Sequence, residues 1–403
     1  MPQPLERVRV GIVGVGNIAT LNVPGYLEHP DCDVVALCDP RREVLDRRCR
    51  EWGVERGYEK LADLLADDGV DAVEILSPTP MHAEHVLAAV EAGKHVSCQK
   101  PIANTVDDAR RMADAAARAG VAFRVTEQCC HYPPLVKARE LVRAGAIGEP
   151  RVVRIKTVVG RTDSVFQANL DPAGYGWRFN HESPGGHLFD DVMHKYAMAL
   201  WLVDREVESV QAVVRQGPLF FEAPTVALWE YDDPNLLGMM EVSYAPDMYI
   251  RSSYYGADEF FEIQGTRGFV WVTRLCGQLH DLPPVVLYEE DGRRTSFAGI
   301  DASYDGSFRR AAAAFVDALR SGAEPDLAPA TAIKTLQLAF AVYQASNERG
   351  PVRPAAIEGS VSPQGWPPSP EQLRRDVDDM IAREAARAAR LGASATDPAR
   401  AGA

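Results

Sequence analysis

A chain of 403 residues at roughly 150 residues per domain makes two domains or one large one and excludes a short disulfide-stapled module. Apolar residues at 46 % and charged residues at 25 % are ordinary for a globular enzyme and exclude disorder along the whole length. The 43 Lys and Arg against 57 Asp and Glu leave a charge of −14, which repels phosphate, so neither nucleic acid nor an anionic membrane surface is an expected partner. In chain order, VRVGIVGV over Val8 to Val15 is a β-branched run ending in glycine, as a buried parallel strand does at a tight turn. A helix follows to about Glu28. Then come a strand at Val34 to Cys38, a helix from Arg42 to Trp52, a strand at Ala72 to Leu76, a helix from His82 to Ala92 and a strand at His95 to Ser97. A helix over Asp107 to Ala119 and a strand over Ala122 to Thr126 complete the series. Such alternation predicts an α/β doubly wound parallel sheet over 1–127.

Pro134 to Arg143 reads as a helix with Pro at its start and Gly145 past its end. The texture then changes to β-rich stretches (Arg151 to Val159, Val207 to Arg215, Thr225 to Tyr231, Gly238 to Tyr244, Phe260 to Thr273) separated by turn residues. A helix over Gly186 to Leu202 sits among them, and helices over Ser307 to Ser321 and Thr331 to Asn347 close the unit. This predicts a second α+β domain over 128–350 with a largely antiparallel open sheet. Over 351–403 a Pro/Ser/Gly-rich linker leads to a helix whose stripe of Leu373, Val377, Met380, Ile381 and Ala385 needs a surface to pack on, its own chain or a neighbouring subunit before any other protein. The last ten residues read as disordered. No apolar run reaches the roughly 18 residues of a membrane span and the N-terminus lacks a signal pattern, so the expectation is a cytoplasmic protein. Seven scattered cysteines without a C-x-x-C pair read as reduced, mostly buried thiols.

Gly11-x-x-Gly14-x-Gly16-x-x-Ala19 closes the first strand and opens the first helix. One glycine permits the turn, the next lets backbone approach a pyrophosphate, and a small third residue allows close helix packing. The anion then lies on the helix N-terminus, at Asn17 and Ile18. Asp39 ends the second strand where a carboxylate can accept from both ribose hydroxyls, which favours NAD. Arg41 and Arg42 keep NADP open as the less favoured cofactor, since an arginine there can pair with a 2′-phosphate.

Ala92-Gly93-Lys94-His95-Val96-Ser97-Cys98-Gln99-Lys100-Pro101 resembles the A-G-K-H-V-x-x-E-K-P segment of the Gfo/Idh/MocA oxidoreductases. Ser77-Pro78-Thr79-Pro80-x-His82 is similar to the family's segment beneath the nicotinamide. Gly145-Ala146-Ile147-Gly148-Glu149-Pro150 is similar to its entry to the second domain, and Gly185-Gly186-x-x-x-Asp190-x-x-x-His194 to its catalytic helix. The likeness runs in family order over about residues 6 to 350. It implies an NAD(P)-dependent enzyme with cofactor contacts from Gly14, Gly16, Asn17, Ile18, Asp39, Arg41, Ser77, Thr79, His82, Gln99 and Lys100. It also implies that 1–127 is a dinucleotide-binding Rossmann domain and 128–350 the domain for substrate binding and oligomerisation, in a homodimer or homotetramer that pairs its open sheets. Two departures stand out: Gln99 replaces the usual Glu, and Val192 and His187 alter the glycine-rich stretch. Gly176-Trp177-Arg178, Phe189-Asp190-Asp191 and His194-Lys195 resemble members acting on pyranosides, including those that oxidise the C3 hydroxyl of glycosides.

Oxidising a secondary alcohol requires a base for the hydroxyl proton while hydride leaves. Asp190 and His194 are four apart and on a helix would share a face. His194 is then general base in oxidation and acid in reduction, Lys100 donates to the reacting oxygen, and Asp190 orients a sugar hydroxyl and the Lys/His pair. The ordinary alternative is a polar helix face. Zinc is the sharper rival, because Asp and His at this spacing can both ligate it, but no third ligand is visible and no metal is expected. Asp191 joins the substrate candidates, with Trp177 and Arg178, Tyr175 and Phe179 beside them in the loop ahead, and Tyr132 and Tyr304 as weaker ones; plain core packing is the competing reading for the aromatics. The function implied is an oxidoreductase acting on a ring hydroxyl of a sugar, glycoside or cyclitol such as inositol. Two alternatives stay open: glycoside cleavage through a transient 3-keto intermediate with retained NAD, and a non-catalytic sugar- or NAD-sensing regulator.

Overall fold

A computed structural model describes residues 4–170 and 176–395. Tyr175 and most of the final ten residues lie outside them. Six parallel strands form the first sheet: β1 (Val8–Val13), β2 (Cys32–Cys38), β3 (Arg56–Tyr58), β4 (Ala72–Ile75), β5 (His95–Gln99) and β6 (Phe123–Thr126), in the order β3-β2-β1-β4-β5-β6. Val8, Val10 and Ile12 point to one face and Val13 and Ile75 to the other, all buried, which is why the strands read as continuous apolar runs. Helices α1 (Ala19–Leu27), α2 (Arg42–Trp52), α3 (Leu61–Leu65), α4 (His82–Glu91) and α5 (Val106–Ala119) make the crossovers. Neither β3 nor α3 is visible in the sequence, because a three-residue edge strand of Arg, Gly and Tyr carries no apolar run.

After α6 (Pro133–Arg143) the second sheet begins with β7 (Pro150–Arg161), followed by a short α7 (Val165–Ala168) and by α8 (Met193–Trp201). Strands β8 (Val207–Val214), β9 (Thr225–Tyr231), β10 (Leu237–Tyr249), β11 (Arg251–Ser252), β12 (Ala257–Gly265), β13 (Gly268–Val272), β14 (Gly277–Gln278), β15 (Val285–Glu289) and β16 (Arg294–Phe297) follow. The eight-stranded order is β16-β15-β13-β12-β7-β10-β9-β8, with β11 and β14 forming a separate pair. Every pairing in the large sheet is antiparallel except β7 with β10. The single stretch read over Phe260 to Thr273 is thus two strands, β12 and β13, reversed at Thr266 and Arg267. One face carries Val153, Ile155, Phe261, Ile263 and Val270 into the core. The other leaves Val213, Val226, Leu228 and Leu237 exposed, and on it Phe269 stacks on Tyr288 beside Trp271.

Two expectations are corrected. The helix α9 (Tyr304–Ser321) does not close the second unit: its Ala312, Phe315, Val316 and Leu319 pack with Val8, Val10 and Ile12 of the first sheet. Gly25 of α1 makes this possible, since a Cβ there would stand 2.7 Å from the Ala312 methyl. The helix α10 (Pro329–Glu348) packs against both units, on β8 and α8 and on α5. The tail helix α11 (Pro370–Ala395) forms as read, but its apolar stripe is not turned inward. Val377, Met380 and Ile381 are exposed, and among the helix's described side chains the buried one is Asp376, whose carboxylate accepts from the Leu219 N–H at 2.7 Å. This hydrogen bond to the loop and an Arg383–Asp247 ion pair at 3.6 Å attach the helix to its own chain.

Candidate active site

Parallel strands deliver their C-terminal ends to one edge of the sheet, where open α/β folds bind ligands. The turn after β1 holds Gly14 at φ +88°, a conformation that favours glycine, and a Cβ there would stand 2.7 Å from the Ser77 amide nitrogen. The Asp39 carboxylate locks this turn: Oδ2 accepts from the Val15 N–H at 3.1 Å, and Oδ1 accepts from the backbone N–H and Nε of Arg41, each at 3.0 Å. Arg41 is therefore paired with Asp39, and its guanidinium lies 3.7 Å from where a Gly16 Cβ would be. Asn17 and Ile18 lead into α1, with the Asn17 carbonyl accepting from Thr20. His82 joins two other cofactor segments, Nδ1 lying 2.8 Å from the Pro101 carbonyl and Nε2 2.9 Å from that of Ser77. Thr79 is buried beside it. Gln99 Oε1 accepts from the Lys100 N–H at 2.9 Å, while its Nε2 is buried without a partner. A glycine turn tied to a buried carboxylate, with an unpaired amide donor at the end of β5, fits a dinucleotide.

Lys100 leaves the end of β5 and crosses to the second unit. Its Nζ donates to the Asp190 carbonyl at 2.9 Å and to Oδ1 at 3.3 Å. Arg178 Nε donates to Asp190 Oδ2 at 2.5 Å, with its guanidinium 4.2 Å from the Trp177 ring centre. Burial pushes the Asp190 carboxyl up, but Arg178 and Lys100 outweigh it and hold it far below the usual carboxylate range. Contrary to the helical reading of 186–202, α8 begins only at Met193. Residues 186–192 form tight turns because Glu222, fully buried, takes the Gly186 N–H at 2.6 Å, the Leu188 N–H at 3.0 Å and the Tyr343 hydroxyl at 2.8 Å. Gly186 is needed there, since a Cβ would meet the Phe220 carbonyl oxygen at 2.0 Å.

Asp190 and His194 consequently engage different partners. His194 Nδ1 lies 2.7 and 2.8 Å from the two carboxylate oxygens of Glu127, and its Nε2 3.4 Å from the Gln128 amide nitrogen. Burial raises the Glu127 carboxyl, but His194, the Cys129 N–H and Lys100 together bring it below its ordinary value. Asp191 turns the other way, to Lys195. That ammonium is fully buried and donates to Asp191 Oδ2 and Glu259 Oε1, each at 2.8 Å. Burial lowers Lys195, yet the two carboxylates prevail and keep it charged.

Tyr132 is corrected to a core residue: it is fully buried and its hydroxyl faces the Ala302 carbonyl at 3.4 Å. Tyr304 is likewise buried, against Phe308 and Tyr254, and Phe179 packs on Phe220. Glu127, Gln128, Glu222 and Glu259 were not singled out in the sequence. Glu127 had a signal, since it follows β6 as Lys100 follows β5. Glu127, Cys129 and His194 place potential metal-ligating atoms within 4.8 Å of one another. The carboxylate–imidazole bond accounts for that closeness, and burial pushes the Cys129 thiol well up.

Residues 8–127 match the profile of an oxidoreductase family with an NAD-binding Rossmann fold, and residues 135–271 match the GFO/IDH/MocA C-terminal domain. The chain belongs to the Gfo/Idh/MocA oxidoreductases. It is 26 % identical over 362 residues to myo-inositol 2-dehydrogenase of Thermotoga maritima, covering 87 % of this chain and all of that one. Its fold resembles scyllo-inositol dehydrogenase from Lactobacillus casei, solved with NAD(H) and scyllo-inositol (TM-score 0.69, 21 % identity, 87 % of this chain and 100 % of that one). It also resembles levoglucosan dehydrogenase in complex with NADH and levoglucosan (TM-score 0.72, 19 % identity, 86 % and 99 %). As a member of this family the chain is an NAD-binding oxidoreductase.

Proposed function

We propose that this oxidoreductase transfers a hydride between NAD and a secondary ring hydroxyl of a sugar, glycoside or cyclitol. One observation carries the reading. Lys100, at the end of a cofactor-domain strand, is held by Asp190 of the second unit, so a cation stands where the two units meet. The relatives that act on inositols and levoglucosan support the substrate class. NAD, when bound, supplies the hydride acceptor. Lys100 Nζ donates to the carbinol oxygen and stabilises developing alkoxide charge. His194 takes the hydroxyl proton, and Asp190 with Arg178 fixes Lys100 and offers carboxylate oxygens to a neighbouring hydroxyl. Gly14, Gly16, Asn17, Ile18, Asp39 and Arg41 hold the adenosine and pyrophosphate side, with Ser77, Thr79, His82 and Gln99 on the nicotinamide side.

The exposed face of the large sheet, with Val213, Val226, Leu228 and Leu237, is assigned to a second copy, as a homodimer or a homotetramer built from it. The uncovered stripe of α11 is a further surface for the neighbouring subunit. The seven unpaired thiols suit a reducing cytoplasm, and the negative charge gives nucleic acid no purchase.

The test is to identify any nucleotide released on denaturation, then follow NADH absorbance with NAD or NADP and a panel of inositols, sugars and glycosides. Net NAD reduction by one polyol establishes the reading. Retained NAD with an altered glycoside and no net turnover replaces it with redox-assisted cleavage, and absence of nucleotide binding overturns both.

A further inference from the structure

We infer that Glu127 is a positioning residue that fixes the ring and tautomer of His194, making Nε2 the nitrogen that exchanges the substrate proton. The inference rests on the proposed acid–base role of His194 and deepens it. A carboxylate can only accept, so the nitrogen it faces must carry hydrogen. With Nδ1 between both Glu127 oxygens at 2.7 and 2.8 Å, Nδ1 is the donor and the neutral ring keeps its lone pair on Nε2. Gln128 agrees, its amide nitrogen standing 3.4 Å from Nε2 as a donor would. Glu127 is itself held in place, Oε1 accepting from the Cys129 N–H at 3.1 Å. The carboxylate and the imidazole are both almost entirely buried, so water screens their pairing little.

The arrangement also crosses between the units. Glu127 belongs to the end of β6 and His194 to α8, so the bond ties the base to the same sheet edge that carries Lys100. Lys100 and Glu127 line one cavity with Met193 and Ala197. In oxidation the substrate O–H bond would break with its proton passing to Nε2 and its electron pair forming the carbonyl C=O, while the C–H pair would leave as hydride to bound NAD⁺. The imidazolium so formed is stabilised by the Glu127 carboxylate through the retained Nδ1–H bond, which shortens as charge appears. Other charged or titratable groups around His194 are Cys129 from the same turn, Asp191 and Lys195 from its own segment, and Lys100. Among the described residues Glu127 is the charged one that bonds the ring.

Glu127→Gln, Glu127→Asp and His194→Ala, compared on the polyol that turns over, test this. Glu127→Gln is expected to lower kcat about 10²-fold or more with KM for NAD unchanged, because its amide can turn an N–H toward Nδ1 and impose the wrong tautomer. Removing the anion favours the neutral ring, so the acid limb of the residual kcat/KM profile moves to lower pH. Glu127→Asp keeps the charge and restores much of the rate and the limb. If His194→Ala is inactive while Glu127→Gln keeps the wild-type limb, Glu127 has no such role. If His194→Ala itself turns over normally, the acid–base reading fails first. A Glu127→Gln protein with lowered kcat, an unmoved limb and no recovery in Glu127→Asp is a structural lesion and overturns the inference.

Discussion

The turn after β1 and the turns ahead of α8 both press glycine against backbone, but they serve the site differently. In the first, consecutive residues do nearly everything: Gly14 turns, Gly16 leaves space, and Asp39 locks the loop from the adjacent strand. In the second, Gly186 lets the chain pass Phe220 while Asp190 and His194 come from the segment itself, and the groups that hold and complete them are supplied from elsewhere: Lys100 from β5, Glu127 from β6, Arg178 from the loop ahead and Glu222 from the segment before β9. Backbone amides can bind a phosphate whatever the side chains, whereas proton transfer needs particular groups at particular atoms. The cofactor half is therefore local in sequence and the chemical half is assembled only on folding.

If the halves are separable, Lys100→Ala and His194→Ala each lower kcat/KM about 10² to 10⁴-fold while NAD still binds, as read by calorimetry. Equal losses in turnover and NAD affinity would break the separation. Lys195→Met addresses how the second half is held. It leaves Asp191 and Glu259 facing each other without their buried cation, and a loss of about 3–5 kcal/mol in denaturant unfolding is expected. A loss under 1 kcal/mol would mean that water or a proton readily replaces the ammonium. Gly14→Ala is the counterpart in the first half. The strained φ and the close Ser77 amide predict a cost of about 1–3 kcal/mol and weakened NAD binding, and unchanged affinity would remove the turn from the site.

Legibility followed the same division. The crossover order, the glycine turn and Asp39 could be read because apolar runs and a fixed spacing record them in consecutive residues. The second unit was legible as β-rich but not in its pairing: nothing in Leu237 to Tyr249 announces a parallel neighbour in β7, and in Phe260 to Thr273 the short Gly265-Thr266-Arg267-Gly268 turn between two apolar runs was passed over. Tyr132 shows the limit for side chains. An aromatic next to a site motif reads the same whether it faces a ligand or the Ala302 carbonyl, and burial alone separates the two. Asp190 and His194 were picked out by the resemblance to the family's catalytic helix, yet the shared helix face assumed from their spacing does not exist. The turns imposed by Glu222 point them to separate partners.

The smallest effect expected isolates the first sheet from the chemistry altogether. Asp71 precedes β4 at the end opposite the glycine turn. Its Oδ2 accepts from the N–H and Nε of Arg9, each at 2.9 Å, while Oδ1 takes the guanidinium at 2.6 Å. Burial raises its carboxyl, but the Arg9 bonds prevail and lower it. A folded-state value below the unfolded one means that the unfolded chain binds the proton first. The contribution is therefore complete above the unfolded pKa of about 3.9 and disappears as pH falls through the lower folded value. With Arg9 partly exposed the pair is worth at most about 1 kcal/mol. Asp71→Asn is then expected to unfold slightly more easily at pH 7, with the difference from wild type shrinking below pH 4 and kcat unchanged throughout. A change in kcat would show that the sheet transmits strain from its N-terminal edge to Lys100 and Glu127, so that the two halves are coupled through the strands after all.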